Sequence, residues 1–237
     1  MRRTGVRARL DQVAELTRGI QLPLPALEPD HLKIVAERLL RAFNEVRTLS
    51  PDTVSSGIEA EVTALMEARL NTLIEEDTLW AQLVLCVARG KESLSFDGSH
   101  LEKRPDLSIY LSNRARGFPL VAEAKILDSA SARTEALYCD HGLRRFVEGE
   151  YAWSNREAFM IAYVRDGSTI DMTLKPFLAD AMTRILPSYR VEELPVHAGD
   201  CSSDLAYSRH GRTFVYTNQT SPTDQPGPIT IWHLWLS

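Results

Sequence analysis

Glu123 and Lys125 stand two residues apart inside Phe118-Pro-Leu-Val-Ala-Glu-Ala-Lys-Ile-Leu127, a segment that is otherwise apolar. In a strand, side chains alternate between faces, so these two charges point the same way, about 7 Å apart. Leu120, Ala122, Ala124 and Ile126 then point the other way, into a core. Charges within such a strand are costly unless they are paired or bound to a metal. A Glu123–Lys125 ion pair is the simplest way to meet that need. The preceding segment offers more. Pro105-Asp106 opens Leu107-Ser-Ile-Tyr-Leu111, and a hairpin turn leads from there into the Glu123 segment. Antiparallel pairing brings Asp106 beside Glu123. Two carboxylates beside one lysine form a site for a hard cation, with an amine available as a base or as a charge-stabilising group.

Pro105-Asp106 followed by Glu123-Ala124-Lys125 resembles the PD-(D/E)XK nuclease superfamily, over roughly residues 56 to 165. Pro29-Asp30 and Pro51-Asp52 also occur, but neither precedes a strand, and Glu123-Ala124-Lys125 is the only acidic-x-Lys triplet in the chain. The resemblance implies a restriction-endonuclease-like α/β core, a mixed central sheet flanked by helices. It also implies Mg²⁺ (with Mn²⁺ as substitute) held by Asp106 and Glu123, and Lys125 acting on the attacking water. A further carboxylate is expected from the helix before the sheet. At 100° per residue Glu59 falls near the apolar face of that helix and Glu61 well away from it, which favours Glu59. Both are equally readable as solvated first-turn glutamates. A basic residue is expected on the helix after the lysine strand. In Tyr138-Cys-Asp-His-Gly-Leu-Arg-Arg-Phe146 the core stripe is Cys139, Leu143, Phe146 and Val147, and beside it run Tyr138, His141, Gly142, Arg145 and Gly149. Arg145 is the candidate for a scissile phosphate by bidentate binding. Tyr138 and Arg144 are lesser candidates, Arg144 lying nearer Asp140 and Glu148.

The elements that must position these residues follow from periodicity and punctuation. Asp30 is expected to cap a helix whose stripe is Leu32, Val35, Leu39, Phe43 and Val46, ended by Ser50-Pro51-Asp52. A second helix is expected from about Ser56 to Ile74. Strands are expected at Ser93–Phe96, Leu107–Leu111 and Phe118–Leu127, with Leu83–Ala88 readable as strand or helix. Asp128, Ser129 and Ser131 offer a cap for a helix reaching about Gly149. Phe159–Val164 reads as a buried strand, Leu174–Ile185 as a helix and Ile229–Trp235 as an alternating strand. The order predicts an α/β sandwich with residues 1–55 as an N-terminal helical extension. The resemblance makes residues 56–170 the expected nuclease-like core, with 171–237 a mixed C-terminal extension completing the same domain.

The chain has 237 residues, 44% hydrophobic and 25% charged, which excludes disorder, collagen and coiled coil for the whole. Its apolar stretches are too short to span a bilayer. Three cysteines and no secretory h-region point to a reducing cytoplasm. A net charge of −5 argues against a general nucleic-acid coat but not against a local basic cleft. Arg114, Arg116, Arg133, Arg144 and Arg145 are the candidates for such a flank. Cys139, His141, His197, Cys201 and His210 lack zinc-module spacing. No serine-hydrolase elbow or phosphate loop is present. Ser208–Arg212 reads as a polar turn, and Trp153, Trp232 and Trp235 as core. The expected function is a metal-dependent endonuclease acting on DNA, with RNA left open, of restriction or anti-phage defence type by family analogy. Double-strand cleavage would suit a homodimer or a partner subunit. The alternative is a catalytically weak subunit that binds or scaffolds.

Overall fold

The computed structural model describes residues 11–92, 95–97, 104–184, 189–199, 204–216 and 225–237. Residues 11–16 are helical. After them come helices α1 (Pro29–Leu49), α2 (Pro51–Ser56), α3 (Glu59–Glu76) and α4 (Thr78–Leu83), then strands β1 (Val84–Ala88), β2 (Leu107–Leu111) and β3 (Leu120–Leu127). Next comes a helix in three pieces: α5 (Glu135–Tyr138), a π-helical segment Cys139–Leu143, and α6 (Arg144–Val147). Strand β4 (Glu157–Val164) follows, then a π-helical turn Ile170–Leu174 running into α7 (Lys175–Thr183), and strands β5 (Val191–His197), β6 (Asp204–His210) and β7 (Ile229–Leu236).

The seven strands form one sheet in the order β1-β2-β3-β4-β7-β6-β5. The three central strands β3, β4 and β7 are parallel, and every other pairing is antiparallel. This is a mixed α/β sheet with helices on both faces. On β3, Leu120, Ala122, Ala124 and Ile126 pack with α1, α3 and α4, while Val121 and Leu127 pack with the Glu135–Val147 helix and α7. A smaller cluster joins Val13, Leu22 and Leu24 to Phe118, Trp153 and Phe214. Trp153, Trp232 and Trp235 are buried. Among the described residues no helix is long and apolar enough to cross a membrane.

Several local expectations are corrected. Asp30 does not cap α1. Pro29, with its fixed φ, takes the first helical position, and Asp30 sits in the first turn. The second helix starts at Glu59 rather than Ser56, because Pro51–Ser56 forms a separate short helix. Leu83–Ala88 divides: Asp77 accepts the Trp80 N–H and caps α4, and the chain becomes extended at Val84. The helix expected from Asp128 begins at Glu135, since Asp128 pairs with Arg133 across a tight turn. Leu174 belongs to the π-helical turn ahead of α7, which ends at Thr183. Ser93 and Leu94 lie outside the described residues, and Ser95 and Phe96 are not in a strand. Strands β5 and β6 were not expected. β5 is an edge strand carrying Glu192, Glu193 and Pro195 and irregular pairing, so it lacks alternation. Ser208 and His210, read as part of a turn, lie buried in β6.

Candidate functional site

The register of β2 on β3 pairs Leu107 with Ala122, so Asp106, one residue before, stands level with Glu123. Lys125 leaves the same face of β3 as Glu123. The start of α3 meets the C-terminal half of β3, because Arg165 donates to the carbonyls of Val54 and Gly57 and fixes the end of α2 and the turn that follows it. At this junction Glu61 folds back, its Oε2 accepting the Ile58 N–H at 3.0 Å. Glu59 instead reaches the strand.

Three carboxylates from three elements thereby surround one amine. Lys125 Nζ lies 2.9 Å from Glu123 Oε1, 3.1 Å from Glu59 Oε1 and 3.8 Å from Asp106 Oδ2. Two of the carboxylates are also tied to the backbone of β3. Asp106 Oδ2 accepts the Ala124 N–H at 2.8 Å, and Glu59 Oε2 accepts the Ile126 N–H at 3.2 Å. Arg145 donates to Glu123 Oε1 at 2.7 Å and to the Tyr151 hydroxyl at 3.1 Å. Its guanidinium also lies over the Tyr151 ring. Glu123 is 1% exposed, and its Oε2 has no hydrogen-bond partner.

Burial and the neighbouring Asp106 charge raise the Glu123 carboxyl to about 7, against the pull of Lys125 and Arg145. Burial works against the Lys125 charge, but Glu123, Asp106 and Glu59 outweigh it and hold the ammonium above its ordinary range. Lys125 is therefore a fixed cation in this arrangement rather than a free amine. Comparison of the chain with protein-family models, curated proteins and solved structures returns no match.

The other sequence candidates lie elsewhere. Tyr138 does not face the cluster. It is fully buried, with its hydroxyl 2.9 Å from His233 Nδ1 and 3.1 Å from the Met160 carbonyl oxygen, because β7 packs its histidine against this side of the helix. Arg144 is on the outer face, with Nε on Glu148 Oε1 at 2.6 Å. Arg114 is not part of a basic flank either. It is held by Asn155 Oδ1 and the Pro25 carbonyl, with Glu157 3.7 Å away. Of the zinc set, Cys139 is buried, His197 pairs with Asp171, His210 is inside the sheet and Cys201 lies outside the described residues. Tyr151 was missed, since nothing in its local sequence marks it. It reaches Arg145 only through the turn after α6.

A cleft of about 510 Å³ opens beside the cluster, lined by Glu59, Lys125, Arg133 and His141 and edged by Ile58 and Leu137. As the side chains stand, among the described residues no three His, Cys, Asp or Glu groups are arranged to hold a metal ion. The donor chemistry nevertheless suits a hard cation, which takes carboxylate oxygens. Glu123 Oε2 is the orphaned acceptor such an ion would satisfy.

The raised Glu123 carboxyl has a consequence for stability. In the unfolded chain it titrates near 4.5, and in the fold near 7. The folded state therefore holds an extra proton between these values, and its contribution to stability falls as pH rises through about 7. Glu123→Gln should be more stable than the parent at pH 8 and lose that advantage towards pH 5. Urea unfolding at both pH values tests this, and a constant difference between the proteins would contradict it.

Proposed function

We propose that the protein is a metal-dependent phosphodiester hydrolase, a nuclease with a restriction-endonuclease-like core as in the PD-(D/E)XK superfamily. The observation that carries this reading is the convergence of Asp106, Glu123 and Glu59, from three separate elements, within 4 Å of the single nitrogen of Lys125. Glu123, fully buried, and Lys125, partly so, stand on a central strand, where each uncompensated buried ion costs several kcal/mol. Packing alone does not call for them there.

In this reading Asp106, Glu123 and Glu59 hold Mg²⁺ or Mn²⁺. The ion, when bound, polarises the phosphoryl oxygen and lowers the pKa of a water. The Lys125 ammonium offsets charge that builds on the phosphoryl oxygens as the water attacks. Backbone amides of Ala124 and Ile126 keep Asp106 and Glu59 oriented. Arg145, braced by Tyr151, holds Glu123 in place, and its contact with a scissile phosphate belongs to the same proposal. Incubation with plasmid, single-stranded DNA and RNA in Mg²⁺ or Mn²⁺, with and without chelator, tests the activity. Chelator-sensitive strand scission absent from Lys125→Ala is the expected result.

Arg133, on the cleft wall, is the basic residue best placed to meet a backbone phosphate. Arg133→Ala should weaken binding uniformly across sequences and lower the slope of log affinity against log salt by about 1. Fluorescence anisotropy over a salt series measures this, and an unchanged slope removes Arg133 from the interface.

A second reading draws on the same geometry. Lys125 and Arg145 already counter Glu123, so the cluster is internally compensated. A binding or scaffolding subunit of nuclease ancestry fits that balance. It predicts no metal uptake and no scission with any substrate.

A further inference from the structure

His141 shares the cleft with Lys125 and Glu59, and no role falls to it in the reading above. It lies in the π-helical segment Cys139–Leu143, four residues before Arg145. Single-turn π segments within helices occur often at functional sites. The segment sits directly on the carboxylate cluster. At the next residue, Gly142, an added Cβ would come 2.4 Å from Met160 Cε and 3.7 Å from Glu123 Cγ. The exposed imidazole makes no hydrogen bond or ion pair among the described residues. By contrast, His197 is taken by Asp171, and His210 and His233 are locked into a buried chain. Glu59, Lys125 and Arg133 are the charged groups that line the cleft with it.

We propose that His141 is the general acid that protonates the leaving oxygen, an inference that rests on the nuclease reading. Lys125 is unsuited to this task, because its proton is held by three carboxylates. Imidazole is the side chain best matched to proton transfer near neutral pH. In the step, the oxygen of the attacking water bonds to phosphorus while the bond from phosphorus to the bridging oxygen of the leaving strand breaks. The electron pair of that bond leaves with the bridging oxygen, which takes a proton from the His141 imidazolium. The proton of the water passes to bulk solvent. Solvent then returns a proton to His141.

The test uses the full chain with Mn²⁺ and two oligonucleotides. One is an ordinary substrate whose cleavage position has been mapped with the parent. The other carries sulfur in place of the leaving bridging oxygen at that bond, a group that departs without protonation. His141→Ala should cleave the oxygen substrate about 100- to 10,000-fold more slowly than the parent and return to near the parental rate on the sulfur substrate. Lys125→Ala should be slow on both. His141→Gln, which keeps the size and a hydrogen-bond donor but not the acid, should behave as His141→Ala. Binding of the oxygen substrate, read by anisotropy in Ca²⁺, should be unchanged in both His141 variants. Parental cleavage of the oxygen substrate by either His141 variant overturns the proposal. So does an equal loss on both substrates, or a loss matched by weaker binding. A parent that cuts no nucleic acid overturns the nuclease reading, and this inference with it.

Discussion

Lys125→Ala should slow cleavage of nucleic acid by about 100- to 1,000-fold while leaving substrate binding near the parental level. The amine is assigned to charge that develops during the reaction, so its loss should appear in kcat rather than in ground-state affinity. Lys125 Nζ is only 2.9 Å from Glu123 and 3.1 Å from Glu59, so its removal takes a cation from both and leaves Glu123 with Arg145. Mn²⁺ should therefore bind Lys125→Ala at least as tightly as the parent by calorimetry. Asp106→Ala and Glu123→Ala should lose both cleavage and metal uptake, since they remove the oxygen donors themselves. Arg144→Ala, on the outer face of the helix, should cut as the parent does. Circular dichroism on each variant separates lost chemistry from a lost fold. If Lys125→Ala cuts as fast as the parent, the assignment of Lys125 is wrong. If the parent binds no metal and cuts nothing, the scaffolding reading is the better one.

The second large effect is expected on acid stability, and it arises away from the cleft. Tyr138, His233, Ser208 and His210 form a fully buried chain of hydrogen bonds linking the Glu135–Val147 helix to β6 and β7. Its direction for neutral imidazoles is set from the His210 end. His210 Nδ1 faces the Tyr189 carbonyl oxygen at 2.7 Å and must donate to it. His210 Nε2 therefore accepts from the Ser208 hydroxyl, 2.7 Å away. Ser208 then accepts from His233 Nε2, also at 2.7 Å, which leaves Nδ1 of a neutral His233 as an acceptor; the one proton of the Tyr138 hydroxyl is shared between it and the Met160 carbonyl oxygen. In this pattern both imidazoles are neutral. Burial pushes His210 down to about 4, against the pull of the Tyr189 carbonyl, and burial together with His210 pushes His233 well below its ordinary range.

In the unfolded chain both histidines take up protons near pH 6.5. Between there and about pH 4 the unfolded state binds more protons, so stability falls as pH falls. Each histidine contributes up to about 1.4 kcal/mol per pH unit in that window. Ser208→Ala should cost about 1–3 kcal/mol for each imidazole nitrogen it leaves without a partner. His233→Gln should be less stable than the parent at pH 7 but lose less between pH 7 and pH 5. Denaturant unfolding from pH 8 to pH 5 measures both. Parallel pH profiles for the parent and His233→Gln would show that the chain does not govern acid sensitivity.

Much of the cluster was legible without coordinates, for a physical reason. Charges in an apolar strand are rare because burial penalises them, so Glu123 and Lys125 stood out. The two-residue strand period set them on one face, and the short connection between β2 and β3 brought Asp106 level with them. Helical periodicity favoured Glu59 without excluding Glu61, and the stripes of α1 and α3 were readable because each buries one face of a regular helix.

What the sequence by itself determined is thus whatever depends on local period and on neighbouring strands: the long helices α1 and α3, the central strands, and the Asp106–Glu123–Lys125 grouping. Only the tertiary structure decided the rest. That Arg145 meets Glu123 while Arg144 does not depends on how the helix packs on the sheet, as does the burial of Tyr138 against His233. The edge strand β5 follows no alternation because it is half solvated and irregularly paired. Strand β6 hides Ser208 and His210, which bond each other and are completed only by His233 and Tyr189, far along the chain. Tyr151 braces Arg145 through a turn that no periodicity encodes. Contacts of this kind join residues distant in sequence, and their energy appears only when the whole sheet has formed.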